Sequence, residues 1–216
     1  MNFSIHLQEL LKGKTYGRTL MNLALSHYTL SGQILDIGGG KKPSYLRFLK
    51  KSADSQINNI DFDSLQSDLA HFDLEKDKLP STDNNYDYVL MFNILEHIYN
   101  HRFLLSEAYR VLKAGGQVIG YVPFMIAYHP DPHDYWRYTH ETLEKLFSAT
   151  GFKDIKIAIS GRGPLMVNYE NIMVYWPVWL RILFFPFYYC LDTIMLALKP
   201  KLRQRSAIGY LFTMTK

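Results

Sequence analysis

Residues Gln33–Ile37 form an apolar run that carries one carboxylate, Asp36, and passes straight into Gly38-Gly39-Gly40. Glycines at the end of a strand let the backbone approach a ligand closely, and a turn into a helix N-terminus leaves N–H donors unpaired. Asp61 follows Gly40 by 21 residues, at the end of a second expected strand, Ile57–Ile60. A carboxylate there can accept both hydroxyls of a ribose. Asp63 is the fallback, since a shift of two keeps the same strand face. An ordinary tight turn would use the same glycines; the strand before them and the acid after them favour a nucleotide-like ligand. The spacing is not the GxGxxG of pyrophosphate binding, because Lys41 and Lys42 fill the later positions.

The rest of the chain alternates in the same way. Helical spacing of leucines covers His6 to Tyr28, and a helix is expected over Tyr45–Lys50. Short strands are expected near Leu69–Phe72 and at Tyr88–Phe92, then a helix over His101–Leu112 stopped by Gly115-Gly116, then a strand over Val118–Val122 ended by Pro123. Thr139 is an N-cap with Glu141 in the first turn of a helix that ends at Gly151. Strands follow at Phe152–Ile159 and Ile208–Thr215. This order predicts a layered α/β fold with a mostly parallel sheet and helices on both faces. The expected organisation is an N-terminal helical cap over 1–30 and one domain over 31–216, with an apolar helical insertion at about 165–205.

Composition narrows the function classes. At 48% hydrophobic and 20% charged, the 216 residues can bury a core, and disorder and coiled coil are excluded. The single cysteine, Cys190, excludes a disulfide framework and a cysteine-based zinc site. Twenty-four basic against 20 acidic residues leave a net charge of +4, too weak to argue for nucleic acid, and no nucleic-acid partner is expected. The N-terminus has neither a cationic n-region nor an apolar run of signal-peptide length, so a cytoplasmic protein is expected.

The motifs, taken in order, resemble those of the class I S-adenosylmethionine-dependent methyltransferases, of the type 11 kind. Asp36-x-Gly38-x-Gly40 looks like their first motif, Asp73-Leu74 their adenine-binding pair, and Asn93-Ile94-Leu95-Glu96-His97-Ile98 their "vLEH" loop. Arg110-Val111-Leu112-Lys113-Ala114-Gly115-Gly116 looks like their "RVLkpGG" turn. The resemblance implies a Rossmann-like seven-stranded sheet, last strand antiparallel, and S-adenosylmethionine as cofactor. It implies that Asp36, Gly38, Gly39 and Gly40 hold the methionine end, Asp61 the ribose, and Asp73 and Leu74 the adenine, with Asn93 also at the cofactor.

After the fifth strand, Pro123–Thr139 carries three prolines and dense polar groups at the sheet edge where ligands bind in such folds. Its His129-Pro130-Asp131-Pro132-His133-Asp134-Tyr135-Trp136-Arg137-Tyr138-Thr139 is similar to a pattern in bacterial methyltransferases of surface polysaccharides and lipid-linked glycans. Methyl transfer is an in-line displacement at a sulfonium, so positioning matters most, but a hydroxyl acceptor must also lose a proton. His129 and His133 are the candidate bases and Asp134 the orienting carboxylate. His97, Tyr135, Arg137 and Tyr138 are candidate acceptor contacts; Arg137 paired with Asp134 to hold the loop is the plainer reading. The spacing of His129, Asp131, His133 and Asp134 permits a metal, but no further ligand is obvious in the sequence and none is expected.

Ile172–Leu198 holds 22 hydrophobic residues in 27, eight of them aromatic, interrupted by Pro177, Arg181, Pro186 and Asp192. No charge-free stretch in it is long enough for a clean span. If the flanking strands share one sheet, both ends of the insertion lie on one side and a single crossing is excluded. Lys199, Lys201, Arg203 and Arg205 follow as a basic flank. The reading is a methyltransferase peripheral to the inner face of a membrane, O-methylating a glycan or a lipid-linked precursor. Methylation of an apolar molecule such as a quinone precursor or lipid, a homodimer interface and a non-catalytic scaffold remain open alternatives.

Overall fold

Ile34, Leu35 and Ile37 on one strand and Val89–Phe92 on another are all buried, with no polar face between them. Strands of that kind need cover on both sides. The computed structural model describes residues 3–40, 43–60 and 73–216. In chain order it has α1 (Phe3–Leu11), α2 (Tyr16–Leu25), β1 (Thr29–Leu30), β2 (Gln33–Ile37), β3 (Lys50–Lys51), β4 (Gln56–Ile60) and β5 (Tyr86–Phe92). There follow α3 (His101–Val111), β6 (Leu112–Pro123), α4 (His140–Thr150), β7 (Lys153–Ser160), α5 (Pro164–Met173), α6 (Val178–Leu198) and β8 (Gly209–Thr215).

Among the described residues six strands, against the seven expected, form the main sheet in the order β4-β2-β5-β6-β8-β7. The pairs β4/β2, β2/β5 and β5/β6 are parallel, while β8 runs antiparallel between β6 and β7. The last strand is therefore antiparallel, as expected. From β2 the chain goes outward to β4 and then crosses to β5 on the other side. The C-terminal ends of β2 and β5 thus form a switch point, where α/β sheets open a crevice. One core, with Leu35, Val89 and Phe147, covers one face; a second, with Ile34, Leu90 and Ile119, covers the other.

Several local expectations need correction. Tyr45–Lys50 is a 3-10 turn at Ser44–Arg47 and then β3, which pairs with β1 in a small separate sheet. Helix α3 stops at Val111 and β6 starts at once; Gly115, with φ of 77°, lies within β6 rather than ending the helix. The Leu69–Phe72 strand lies outside the described residues. Thr139 does cap α4, its hydroxyl accepting from the Thr142 N–H at 3.2 Å, and Gly151 ends it in the left-handed region. Arg110 of the "RVLkpGG" stretch is structural: it bonds Glu107, Asp83 and the carbonyls of Leu79 and Ser81.

Gly120 sits where β6 meets β8, and a Cβ there would lie 2.2 Å from the Phe212 ring and 2.7 Å from the Met91 carbonyl oxygen. Gly120→Ala is expected to destabilise the fold by about 1–3 kcal/mol through overpacking, read as a lower urea midpoint. An unchanged midpoint would show that the Phe212 ring yields freely.

The insertion forms α5 and one continuous α6 of 21 residues, long and apolar enough by length and composition to cross a membrane. This differs from the expected broken stretch, because the interruptions are dealt with internally. Arg181 folds back on the carbonyls of Val174 and Trp176, and buried Asp192 accepts from the Leu165 N–H at 3.0 Å beside Arg162. Trp179, Leu183, Phe187, Leu191, Ile194 and Leu198 are exposed, and their spacing of three and four lays them along one face. The opposite face buries Phe185 against Tyr16 and Tyr169. Since β7 and β8 are neighbours in one sheet, both ends of the insertion return to the same edge.

Candidate active site

A cavity of about 360 Å³ opens at the switch point. Its floor is the glycine turn after β2, with Gly38 and Gly39, and the ends of β5 and β6, with Asn93 and Tyr121. Gly38 and Gly40 have φ of 76° and 68°, in the left-handed region that favours glycine. A Cβ on Gly39 would lie 2.2 Å from Asp36 Oδ2, so the turn packs directly on that carboxylate. Asp36 is fully buried, and the Tyr45 hydroxyl donates to it, 2.6 and 2.7 Å from its two oxygens. Asn93 also has positive φ, 52°, a conformation asparagine tolerates, and its N–H donates to the Tyr121 carbonyl at 2.9 Å.

The roof comes from the N-terminal helices and α5. Thr15 caps α2 by accepting from the Arg18 N–H at 3.2 Å, which places the Arg18 side chain over the cavity. Burial lowers the Arg18 pKa from its ordinary value. Glu170 on α5 also lines the cavity; it accepts from the Tyr16 N–H at 3.0 Å, and burial raises its pKa.

At the β5 side, Glu96 is fully buried, and neither carboxylate oxygen has a hydrogen-bond partner among the described residues. His97 Nε2 and His129 Nε2 lie 3.7 and 3.9 Å from Glu96 Oε1, and the two rings meet edge to face. These distances are too long for direct hydrogen bonds, yet the nearby Glu96 carboxylate raises the His129 pKa against the opposing effect of burial. His129 is fixed through its backbone: its N–H donates to Asp134 at 2.9 Å. Arg137 grips Asp134 with two bonds of 2.5 and 2.6 Å and holds it charged, so the Asp134 pKa lies below the usual value. The Glu96 carbonyl accepts from the Tyr135 N–H at 2.7 Å, which ties the proline-rich loop to the "vLEH" turn.

Comparison with known proteins agrees with this geometry. Residues 35–120, less than half of the chain, match a protein-family model described as a methyltransferase domain. Over those residues the chain resembles a methyltransferase domain. Its fold is similar to that of an Archaeoglobus fulgidus S-adenosylmethionine-dependent methyltransferase, with 18% identity, all of both chains covered and a TM-score of 0.56. It is also similar to Haemonchus contortus phosphoethanolamine N-methyltransferase 2, solved with phosphomonomethylethanolamine and S-adenosylhomocysteine, with 20% identity and a TM-score of 0.55. There 91% of this chain is covered but 52% of the other, so the chain spans about half the length of that enzyme. The same worm enzyme has also been solved with S-adenosylmethionine itself.

Gly38, Gly39, Asn93, His97 and His129 line the cavity, and Asp36 lies directly beneath Gly39. Asp61 lies outside the described residues. Asp73 does not line the cavity: its carboxylate pairs with Lys76 at 2.9 Å and accepts from the Glu75 N–H. Leu74 is buried beside it. The acceptor-side expectations change more. His133 is exposed and does not line the cavity; its carbonyl, not its ring, reaches inward, 2.5 Å from His97 Nδ1. Tyr138 is buried and donates to the Leu95 carbonyl at 3.0 Å, so it packs the loop instead of facing a ligand. Arg137 is committed to Asp134. Tyr135 is exposed against Tyr99, on the rim of a shallower groove. Sequence reasoning passed over Arg18, Tyr45 and Glu170, which carry no local signal. Glu96 did have one: an acid beside a histidine just past the end of a parallel strand.

Proposed function

We propose that the domain methylates a hydroxyl of a glycan or lipid-linked glycan precursor, held at a membrane surface. The observation that carries this is the Glu96–His97–His129 cluster, opening onto the same cavity as the glycine turn. A methyl group needs no proton chemistry to leave sulfur, but an alcohol oxygen must be freed of its proton to attack. The cluster is where that happens, with His129 its member on the proline-rich loop and Asp134 the group that orients it. Asp36 and the glycines take the methionine end, Asp61 the ribose and the Leu74 amide the adenine, on the pattern of the family the motifs resemble.

The exposed face of α6 supports the membrane part of the reading. It is an uncharged apolar stripe followed by Lys199, Lys201, Arg203 and Arg205, all exposed. A stripe of this kind inserts at headgroup depth, with cations on anionic lipid. Leu183→Glu with Phe187→Glu is expected to cut co-flotation with anionic vesicles by roughly tenfold or more, given about 1.5–3 kcal/mol per large apolar side chain. Wild-type protein that stays at the bottom of the gradient would sink the membrane part.

The acceptor is tested with methyl-labelled S-adenosylmethionine and a cell extract of the source. Label in the organic phase, released from lipid by mild acid as a methylated sugar, is the expected result. Label in an apolar molecule without sugar would replace the glycan by a lipid or quinone-like acceptor. No label in any hydroxyl compound would overturn the reading.

A further inference from the structure

Glu96 presents a chemical problem behind the cavity wall formed by His97 and His129. It is fully buried, and both of its oxygens lack hydrogen-bond partners among the described residues. A bare buried carboxylate is strongly disfavoured unless a cation or donors satisfy it. The two imidazoles beside it do not supply donors in their neutral form. His97 Nδ1 faces the His133 carbonyl at 2.5 Å, so it carries the ring proton. His129 Nδ1 faces the Ala127 carbonyl at 3.1 Å and Asp134 at 3.5 Å; Arg137 Nη2 lies 3.3 Å from it, but its two hydrogens are taken by Asp134 at 2.6 Å and the Ala127 carbonyl at 3.4 Å. That leaves the Nε2 lone pairs of both rings turned toward the Glu96 carboxylate, at 3.7 and 3.9 Å. Three lone-pair donors pointing at one another repel unless something positive lies between them.

We infer that Glu96, His97 and His129 bind a divalent cation of the zinc class. One ligand atom from each residue lies within 4.8 Å of the other two. Bonds of about 2.0–2.2 Å to a tetrahedral zinc put ligand atoms about 3.4 Å apart, a contraction that small side-chain rotations supply. Imidazoles that donate Nδ1–H to carbonyls and ligate through Nε2 are the usual arrangement of metal-binding histidines. Two imidazoles with one carboxylate favour zinc, iron or nickel over magnesium or calcium. Three protein ligands leave a coordination position open toward the cavity, as in catalytic sites.

This deepens, and rests on, the reading of the cluster as the place where the acceptor hydroxyl is activated. A cation there lowers the pKa of the acceptor hydroxyl, whose proton leaves to solvent. The oxygen then forms its bond to the methyl carbon while the sulfur–carbon bond breaks, and the electron pair stays on sulfur. No oxidant or reductant is needed.

The test uses full-length protein stripped with chelator and titrated with Zn²⁺ by calorimetry and with Co²⁺ by visible absorption. One equivalent is expected to bind, with d–d bands for a four- or five-coordinate site. Glu96→Gln and His129→Ala are expected to weaken binding at least 100-fold, and His133→Ala, which keeps the carbonyl beside His97, to leave it unchanged. Thermal melts and cofactor titration confirm that each variant is folded. No heat and no d–d bands in wild-type protein would overturn the metal site, as would wild-type affinity in both cluster variants. The two readings fail separately. Labelling of a hydroxyl acceptor that persists unchanged in chelator overturns the metal and leaves the function. Metal binding without methylation of any hydroxyl overturns the function and leaves the site.

Discussion

Asp36→Asn is expected to raise the dissociation constant for S-adenosylmethionine by roughly 30- to 150-fold, the effect of losing about 2–3 kcal/mol of charge-assisted hydrogen bonding. The substitution keeps the shape of the side chain and its contact with the Tyr45 hydroxyl, 2.6 Å away. It removes the negative charge placed under Gly39, where the ammonium of the methionine end is proposed to sit. In a cavity shielded from water that charge has few substitutes. Calorimetric titration of the cofactor measures the effect, with a thermal melt as the folding control. Tyr45→Phe is the milder companion: the carboxylate stays but loses its orienting donor, and a weakening of several-fold is expected. Asp73→Asn separates the structural reading from the motif. Its carboxylate is taken up by Lys76 and the Glu75 N–H, so its effect on cofactor affinity is expected to stay within about threefold. Wild-type affinity in Asp36→Asn would move the cofactor away from the glycine turn.

His129→Ala is expected to lower turnover by about 10²–10⁴-fold, the range for losing a member of the cluster at which the acceptor hydroxyl gives up its proton. Cofactor affinity is expected to change little, because the ring belongs to the proline-rich loop and not to the glycine turn or to Asp36 beneath it. His133→Ala is expected to be nearly silent, since that ring is exposed and does not line the cavity. The two histidines are four residues apart and chemically alike, so the contrast tests the geometry and not the residue type. Single-turnover methyl transfer at saturating cofactor is the measurement. Equal losses in both variants would mean that the loop closes differently around an acceptor.

What the sequence showed was local. Glycines behind an apolar strand, a threonine cap at residue 139 and alternating strands and helices each depend on a few neighbouring residues, and all are present in the fold. What it concealed depends on distant segments meeting. Tyr138 reads as an acceptor contact from its place in the proline-rich loop, but its hydroxyl donates to the Leu95 carbonyl. Tyr45 read as the start of a helix, but its hydroxyl binds Asp36 from a 3-10 turn. His129 finds Glu96 only because β5 and β6 end side by side, so the loops after them share one edge. The insertion read as broken because a charge in sequence counts against a helix face. In the fold, Arg181 and Asp192 bond to the protein and the outer stripe carries none.

The roof of the cavity has a mechanical consequence. Helices α1, α2, α5 and α6 share a separate apolar core, with Leu10, Tyr16, Met166 and Phe185 at its centre. Gly17 presses so closely on Glu170 that an added Cβ would lie 2.9 Å from its carboxylate oxygen. The residues that roof the cavity, Arg18 and Glu170, and the stripe that faces outward are therefore joined through one shared core. Because a packed interior transmits strain, a shift of α6 reaches Glu170 and Arg18 through that core.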